Sequence, residues 1–221
     1  MIRLVVGLGN PGKEYERTRH NAGFWLVERF ASANGVVLRK DPKFKALVGR
    51  QGAGAWFLLP QSFMNLSGQP VQMLAGFFKI KPEEILVAHD ELDFPPGTAK
   101  LKQGGGIAGH NGLRDISQRL ASHDYWRLRI GVGKPLGGGE GADYVLQKPP
   151  AEERAAIDSA IAKALEILPL CLAGDMQGAM TRLHTEEKKA EGPKPPAEKA
   201  MDNPKEEEKP AGILKSLFGK K

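Results

Sequence analysis

The sequence predicts a single α/β domain, in which a mixed, mostly parallel twisted sheet is flanked by helices. Strand-like runs alternate with helical patterns along most of the chain, and 41% of its 221 residues are hydrophobic, enough for one well-buried core. No apolar run reaches the roughly 20 residues that cross a bilayer. The N-terminal MIRLVVGLGN is too short and too rich in glycine for a signal peptide. We therefore expect a cytoplasmic protein without a membrane span.

Six runs bounded by Gly, Pro or Asp predict strands, at residues 2–8, 46–51, 56–60, 85–89, 98–103 and 126–132. Apolar positions at helical spacing predict helices at residues 22–33, 67–78, 112–120, 151–168 and 176–184. Pro149 and Pro150 mark the start of the fourth helix. Pro169 and Gly174 are expected to separate the last two helices. This order of elements is typical of one α/β domain.

The chain divides into a predicted domain at residues 1–185 and a predicted tail at residues 186–221. The tail has nine lysines and eight acids, so +5 of the net charge of +6 belongs to residues 1–185. A basic domain attracts polyanions, nucleic acid first, although many basic proteins simply have a solvated lysine surface. The stretch after Glu186 has almost no large apolar residue, which predicts disorder. Its basic amphipathic end, GILKSLFGKK, is too short for a stable isolated helix, and its partner is left open.

The stretch VVGLGNPGKEYERTRHNAGF contains a G-x-G-x-x-G pattern directly after the first predicted strand. A dinucleotide-binding turn needs the third glycine inside a helix and an acidic residue about 20 positions further on. Here Pro11 and the polar run KEYERTRH follow instead, without an apolar stripe that could pack on a sheet. A nicotinamide oxidoreductase is therefore disfavoured, and we expect no organic cofactor.

Several polar side chains follow the predicted strands, at the edge of the sheet where ligands of α/β proteins bind. They are Asn10, His20, Asn65, Asp90, His110 and Asn111. A histidine can take a proton from water near neutral pH, and a buried aspartate can orient its ring. Carboxamides can donate hydrogen bonds to a developing oxyanion. Each of these residues is also a common turn former or helix cap, so a purely structural role stays open for any one of them.

Other reactive patterns are missing from the sequence. It contains no G-x-S-x-G elbow, no H-E-x-x-H and no cysteine cluster, so neither a serine nucleophile nor a metal is expected. The single Cys171 lies in ILPLCLAG, which is typical of a buried helix. Residues 104–106, all glycine, could cradle a phosphate, but they lack the Gly-Lys-Ser/Thr ending of a P-loop, which favours a close-packed turn.

Taken together, the motifs resemble bacterial-type peptidyl-tRNA hydrolase. The matching pieces are VGLGNPGKEYERTRHNAGF, FMNLSGQPV, VAHDELDFPPGTAKLKQGGGIAGHNGLRDI, RLRIGVGKP and DYVLQKPP. The resemblance covers about residues 1–185 and says nothing about the tail. It implies a phosphorylase/hydrolase-like fold, no metal or organic cofactor, and a monomer that cleaves the ester between a peptide and the terminal ribose of tRNA.

The resemblance also assigns roles to individual residues. It implies that His20 is the general base that activates water and that Asp90 orients and polarises His20. It places around the substrate Asn10, Tyr15, Phe63, Met64, Asn65, His110 and Asn111. It further implies that Lys102 and Arg129 form a clamp for the 5′ phosphate of the tRNA.

The sequence also leaves open a function of a different class from hydrolysis. An RNA-binding protein on the same fold could have lost the chemistry. Such a protein would have no need for His20, Asp90, Asn10 and Asn111 together, and all four are present. The sequence therefore favours the hydrolase.

Overall fold

A computed structural model describes residues 1–135 and 140–190 of the chain. The strands are β1 (Leu4–Gly7), β2 (Arg39–Asp41), β3 (Ala46–Arg50), β4 (Trp56–Pro60), β5 (Ile85–Glu91), β6 (Ala99–Gln103) and β7 (Trp126–Gly131). The helices are α1 (Ala22–Ala33), α2 (Gly68–Phe77), α3 (Asn111–Leu120), α4 (Gly141–Val145), α5 (Ala151–Ala173) and α6 (Met176–Ala190). Short 3-10 helices span Arg19–Asn21, Met64–Leu66 and Pro82–Glu84.

The seven strands form one mixed sheet in the order β2-β3-β4-β1-β5-β7-β6. The four central strands run parallel to one another, because β1 pairs in parallel with both β4 and β5, and β5 pairs in parallel with β7. Antiparallel pairs join β2 to β3, β3 to β4 and β6 to β7 at the two edges. The predicted fold class is therefore confirmed, and the carboxyl ends of the central strands meet at one edge of the sheet.

Alternating side chains of the central strands build a core on each face of the sheet. Val5 packs with the apolar residues of α1, α5 and α6 on one face. Leu4 and Val6 pack with those of α2 and α3 on the other. Both faces are buried, as expected for parallel strands with helices on both sides.

The first two glycines of the opening motif are needed for close packing of α1 on β1. A Cβ atom on Gly7 would lie 2.5 Å from the carbonyl oxygen of Gly23, and one on Gly9 would lie 2.6 Å from the ring of Phe24. Only Gly12, with φ of +114°, occupies a turn conformation that favours glycine. The motif thus fits helix α1 tightly against the sheet.

Some boundaries differ from the prediction. Helix α5 continues through Pro169 to Ala173 and ends at Gly174, where φ is +96°. Pro169 lies on the exposed face of the helix, so the lost backbone hydrogen bond is near solvent, and Gly174 alone ends the helix. Helix α6 extends six residues beyond its predicted end at His184, so residues 186–190, which the sequence placed in a disordered tail, are helical. The short β2 and α4 have no clear sequence pattern and were missed.

Candidate active site

A pocket of about 520 Å³ opens at the carboxyl ends of the central strands. Every residue that the sequence suggested as catalytic or substrate-binding lines it, namely Asn10, Tyr15, His20, Phe63, Met64, Asn65, Asp90, His110 and Asn111. They come from segments far apart in the chain, and the parallel sheet brings them together because β1, β4 and β5 end at the same edge.

Asp90 lies at the centre of a row of polar side chains. It is the sixth residue of β5, and only 2% of its side chain is exposed. His20 Nδ1 lies 2.9 Å from Asp90 Oδ1 and 3.0 Å from Asp90 Oδ2. His110 Nε2 lies 3.0 Å from Oδ1 of the same carboxylate. A single buried carboxylate therefore holds two imidazole rings.

The hydrogen bonds of His110 fix its tautomer. Its Nδ1 atom caps helix α3, because the backbone N–H groups of Gly112 and Leu113 point to it at 3.1 and 3.4 Å. An atom that accepts from N–H groups carries no proton, so the proton of the neutral ring is on Nε2. His110 therefore donates to Asp90 while neutral, and helix α3 fixes the direction of that bond.

Asp90 is held as a carboxylate. Burial alone would raise its pKa, but the neighbouring His20 and His110 rings outweigh burial and hold the pKa well below its usual range. An ionised Asp90 accepts the Nδ1–H of His20, which leaves Nε2 of His20 as the ring nitrogen that is free to accept a proton at the pocket.

Two opposing effects act on His20. Burial disfavours the charged ring and lowers the pKa, but the charge of Asp90 and its hydrogen bond outweigh burial and raise the pKa above 6.5. A histidine with a raised pKa is a stronger base, which is useful for proton abstraction as long as it is neutral at the working pH.

Asn10 is held by its backbone and by its side-chain oxygen. Asn21 Oδ1 accepts the Asn10 N–H at 2.8 Å, and Asn21 Nδ2 donates to the Asn10 carbonyl at 3.0 Å. Asn10 Oδ1 accepts the N–H of Met64 at 2.7 Å. Because the oxygen of the Asn10 carboxamide is engaged, its NH₂ group is the part that can donate into the pocket.

The other two carboxamides are less enclosed. Asn65 and Asn111 are both exposed at the pocket. Asn111 Oδ1 accepts from Arg114 Nη1 at 3.1 Å, which leaves the NH₂ group of Asn111 free to donate. Apolar surface beside them comes from Phe63, which is 57% exposed and meets Tyr15 edge to face at 6.2 Å.

The suggested clamp residues lie outside this pocket, on the ribbon of β6 and β7. Lys102 is exposed, whereas Arg129 is half-buried, and its Nε donates to Glu91 Oε2 at 2.9 Å. The Arg129 guanidinium also lies 4.3 Å from the centre of the Phe94 ring. Glu91 directly follows Asp90 on β5, so the ribbon is tied to the strand that carries the central carboxylate.

His20, Asp90 and His110 each offer a ligand atom within 4.8 Å of the others, a spacing that would suit a metal ion. A histidine that binds a metal through Nε2 carries its proton on Nδ1. In His110 that proton would point at the N–H groups of Gly112 and Leu113, so donors would face donors. The cap on helix α3 therefore opposes metal binding at His110.

Sequence reasoning missed several residues of the site. Asn21 and Arg19 flank His20 and are buried. The guanidinium of Arg19 donates to Glu153 at 2.6 Å and lies 4.0 Å from the centre of the Tyr144 ring, next to pocket-lining α4. His89 also lines the pocket, and burial lowers its pKa to about 3. Because arginine side chains are mostly exposed, no feature of the sequence indicated that Arg19 is buried.

The fold and the site together define a hydrolase-type α/β protein with a His–Asp pair at the carboxyl edge of its sheet. The family model described as peptidyl-tRNA hydrolase matches residues 4–191. The chain belongs to the peptidyl-tRNA hydrolase family.

Individual relatives agree with this assignment. The chain is 52% identical over 202 residues to peptidyl-tRNA hydrolase of Thiobacillus denitrificans, covering 91% of this chain and 96% of that protein. It is 53% identical over 196 residues to that of Cupriavidus pinatubonensis, covering 84% and 98%. The crystal structure of peptidyl-tRNA hydrolase from Acinetobacter baumannii superposes with a TM-score of 0.79 at 46% identity, covering 82% of this chain and 94% of that one.

Proposed function

We propose that this chain hydrolyses the ester bond between a peptide, or an N-blocked amino acid, and the 3′ ribose of tRNA by general-base activation of water. The observation that carries the mechanism is the pair of hydrogen bonds from His20 and His110 to one buried carboxylate of Asp90. Family membership supports the substrate, and the geometry of the pocket supports the roles of the residues.

His20 acts as the base. Its Nε2 atom takes a proton from water as the water attacks the ester carbonyl. Asp90 keeps the proton of the neutral ring on Nδ1 and stabilises the imidazolium that forms, and His110 keeps Asp90 in place from the other side. The same proton can then pass from His20 to the leaving 3′ oxygen of the ribose, so the base is restored.

The carboxamides of Asn10, Asn65 and Asn111 bind the reacting ester. Each can donate N–H groups without adding a charge, which stabilises the developing oxyanion and does not trap the carboxylate product. Phe63, Met64 and Tyr15 supply the apolar wall beside them, which suits side chains of the peptide.

The tRNA is held by the ribbon of β6 and β7. Lys102 and Arg129 lie on the same face of this ribbon and offer charge-assisted hydrogen bonds to a phosphate. The bond from Arg129 Nε to Glu91 leaves both terminal nitrogens of the guanidinium for the phosphate. Glu91 therefore orients Arg129.

The site is complete within one chain, which supports a monomer, and no step of the mechanism requires a metal or an organic cofactor. In the part of the chain that the structure describes, no helix is long and apolar enough to cross a membrane. A cytoplasmic location follows from the substrate, and residues 191–221, which follow α6, are proposed to be a tail that catalysis does not use.

The test is release of labelled N-blocked amino acid from tRNA, measured together with tRNA binding in the presence of a strong chelator. We expect the wild-type protein to release the label with repeated turnover. Binding of tRNA without release would instead favour the non-catalytic RNA-binding protein. Release that stops with chelator and returns with added metal would contradict the metal-free mechanism.

A further inference from the structure

The ribbon of β6 and β7 carries four cations on one face. Lys102 is paired with Arg127 and Lys100 with Arg129, and residues two apart on a strand share a face. Lys102 is exposed and Arg129 is half-buried, but Arg127 is only 4% exposed. A buried guanidinium is poorly placed for the phosphate of a large polyanion, so Arg127 needs another explanation.

The guanidinium of Arg127 is enclosed by the glycine-rich turn at residues 104–106. Its two terminal nitrogens donate to the carbonyl oxygens of Gly104 and Gly106. Gly105, between them, has φ of +91°, and a Cβ atom there would lie 2.6 Å from Arg127 Nη2. The turn therefore wraps around a cation of the protein itself. Its carbonyl groups point at that cation, which is the opposite of a phosphate cradle and fits the close-packed turn that the sequence favoured.

This turn begins the segment that delivers His110 and Asn111 to the pocket. Residues 104–109 are mostly exposed, so few apolar contacts hold the segment to the body of the protein. At its far end, the His110 N–H donates to the Ile107 carbonyl at 2.9 Å, and the His110 ring donates to Asp90. At its near end, the two bonds from Arg127 tie the segment to the sheet.

A charged side chain at this place is costly for the fold. Burial lowers the pKa of Arg127, and its Nε has no hydrogen-bond partner among the described residues. A buried guanidinium bound mainly to neutral carbonyls is no more stable than a well-packed apolar side chain of similar size. The hydrogen bonds of Arg127 therefore serve the turn more than the packing of the sheet.

We infer that Arg127 is a positioning residue, which holds the glycine-rich turn and thereby places His110 and Asn111 against Asp90 and the reacting ester. This inference rests on the proposed function, because it assumes that His110 and Asn111 serve the hydrolysis. Small displacements of such groups lower the rate strongly even when the substrate still binds. Arg127 itself does not contact the tRNA.

The test compares Arg127→Met with Lys102→Met, because Lys102 lies directly opposite Arg127 on the neighbouring strand β6. Single-turnover release at saturating enzyme gives the rate of chemistry, and titration gives the tRNA dissociation constant. We expect Arg127→Met to lower the rate at least about ten-fold with a dissociation constant within about two-fold of wild type. We expect Lys102→Met to raise the dissociation constant instead. Arg127→Lys keeps the charge but cannot donate to two carbonyl groups at once in the geometry of a guanidinium. We therefore expect its rate to fall as in Arg127→Met.

A wild-type rate in Arg127→Met would overturn the inference. A weakened tRNA affinity with a flatter salt dependence, as in Lys102→Met, would also overturn it and make Arg127 a phosphate ligand. If circular dichroism shows that Arg127→Met is unfolded, the rate of Arg127→Lys decides by the same criteria. His20→Ala in the same assay separates a failure of the proposed function from a failure of this inference. If His20→Ala keeps the wild-type rate, the proposed base is wrong. If His20→Ala loses the rate but both Arg127 variants keep it, only the positioning role of Arg127 is rejected.

Discussion

His20 Nδ1 and His110 Nε2 lie 2.9 and 3.0 Å from the same oxygen of Asp90. One histidine is free to change its charge, because its second nitrogen is at the pocket. The other is fixed as a donor through Nε2, because its Nδ1 accepts the N–H groups at the start of α3.

Asp90→Asn should move the pH dependence of hydrolysis. The base works when neutral, so activity falls as the pH drops through the pKa of His20, which in the wild type is raised above 6.5. Without the carboxylate, burial remains and lowers this pKa. We expect the acid limb of kcat/KM to move to lower pH and kcat to fall by a factor on the order of 10²–10⁴. An acid limb that stays in place would show that a group other than His20 sets it.

His110→Asn and His110→Ala should separate the two bonds that His110 makes. Asparagine is a good helix N-cap but is too short to reach Asp90, whereas alanine loses both bonds. We expect similar losses of kcat in the two variants, but an additional loss of about 1 kcal/mol in the free energy of unfolding only for alanine. Urea unfolding and turnover measure these quantities. Full activity in His110→Asn would mean that the bond to Asp90 is dispensable.

The pair Lys102→Ala and Arg129→Ala should weaken tRNA binding and leave the chemical step intact. Each lost phosphate contact is expected to flatten the slope of log affinity against log salt by about 1. Lys40→Ala is a matched control, because Lys40 is exposed on β2 at the opposite edge of the sheet. An unchanged salt slope in the double variant would place the clamp elsewhere.

Removal of residues 191–221 should leave hydrolysis of free substrate intact. The cut follows α6, which ends at Ala190, so the described helices are kept whole. We expect kcat/KM within about two-fold of the full chain, since all proposed contacts lie in the part that remains. A large loss of activity in the shortened protein, with its fold confirmed by circular dichroism, would assign the tail a part in tRNA binding.

The sequence revealed the fold class and the polar residues of the pocket because both leave local patterns, whereas Tyr15, Phe63 and Met64 were expected only from the resemblance to the family. Strands and helices alternate visibly, and polar residues follow the strands that end at one edge. The helix through Pro169 was missed because proline usually breaks a helix, and only the structure shows that its ring lies on an exposed face. The tautomer of His110 and the burial of Arg127 depend on contacts between distant segments, which no local pattern reveals.

The most direct test of the proposed mechanism is the single-turnover rate of His20→Ala, measured at saturating enzyme together with the dissociation constant for the uncleaved substrate. Removal of a general base is expected to lower this rate by a factor on the order of 10²–10⁴ and to leave the dissociation constant nearly unchanged. A rate close to that of the wild type would contradict the assignment of His20 as the base. An equally large rise in the dissociation constant with an unchanged rate would make His20 a binding residue.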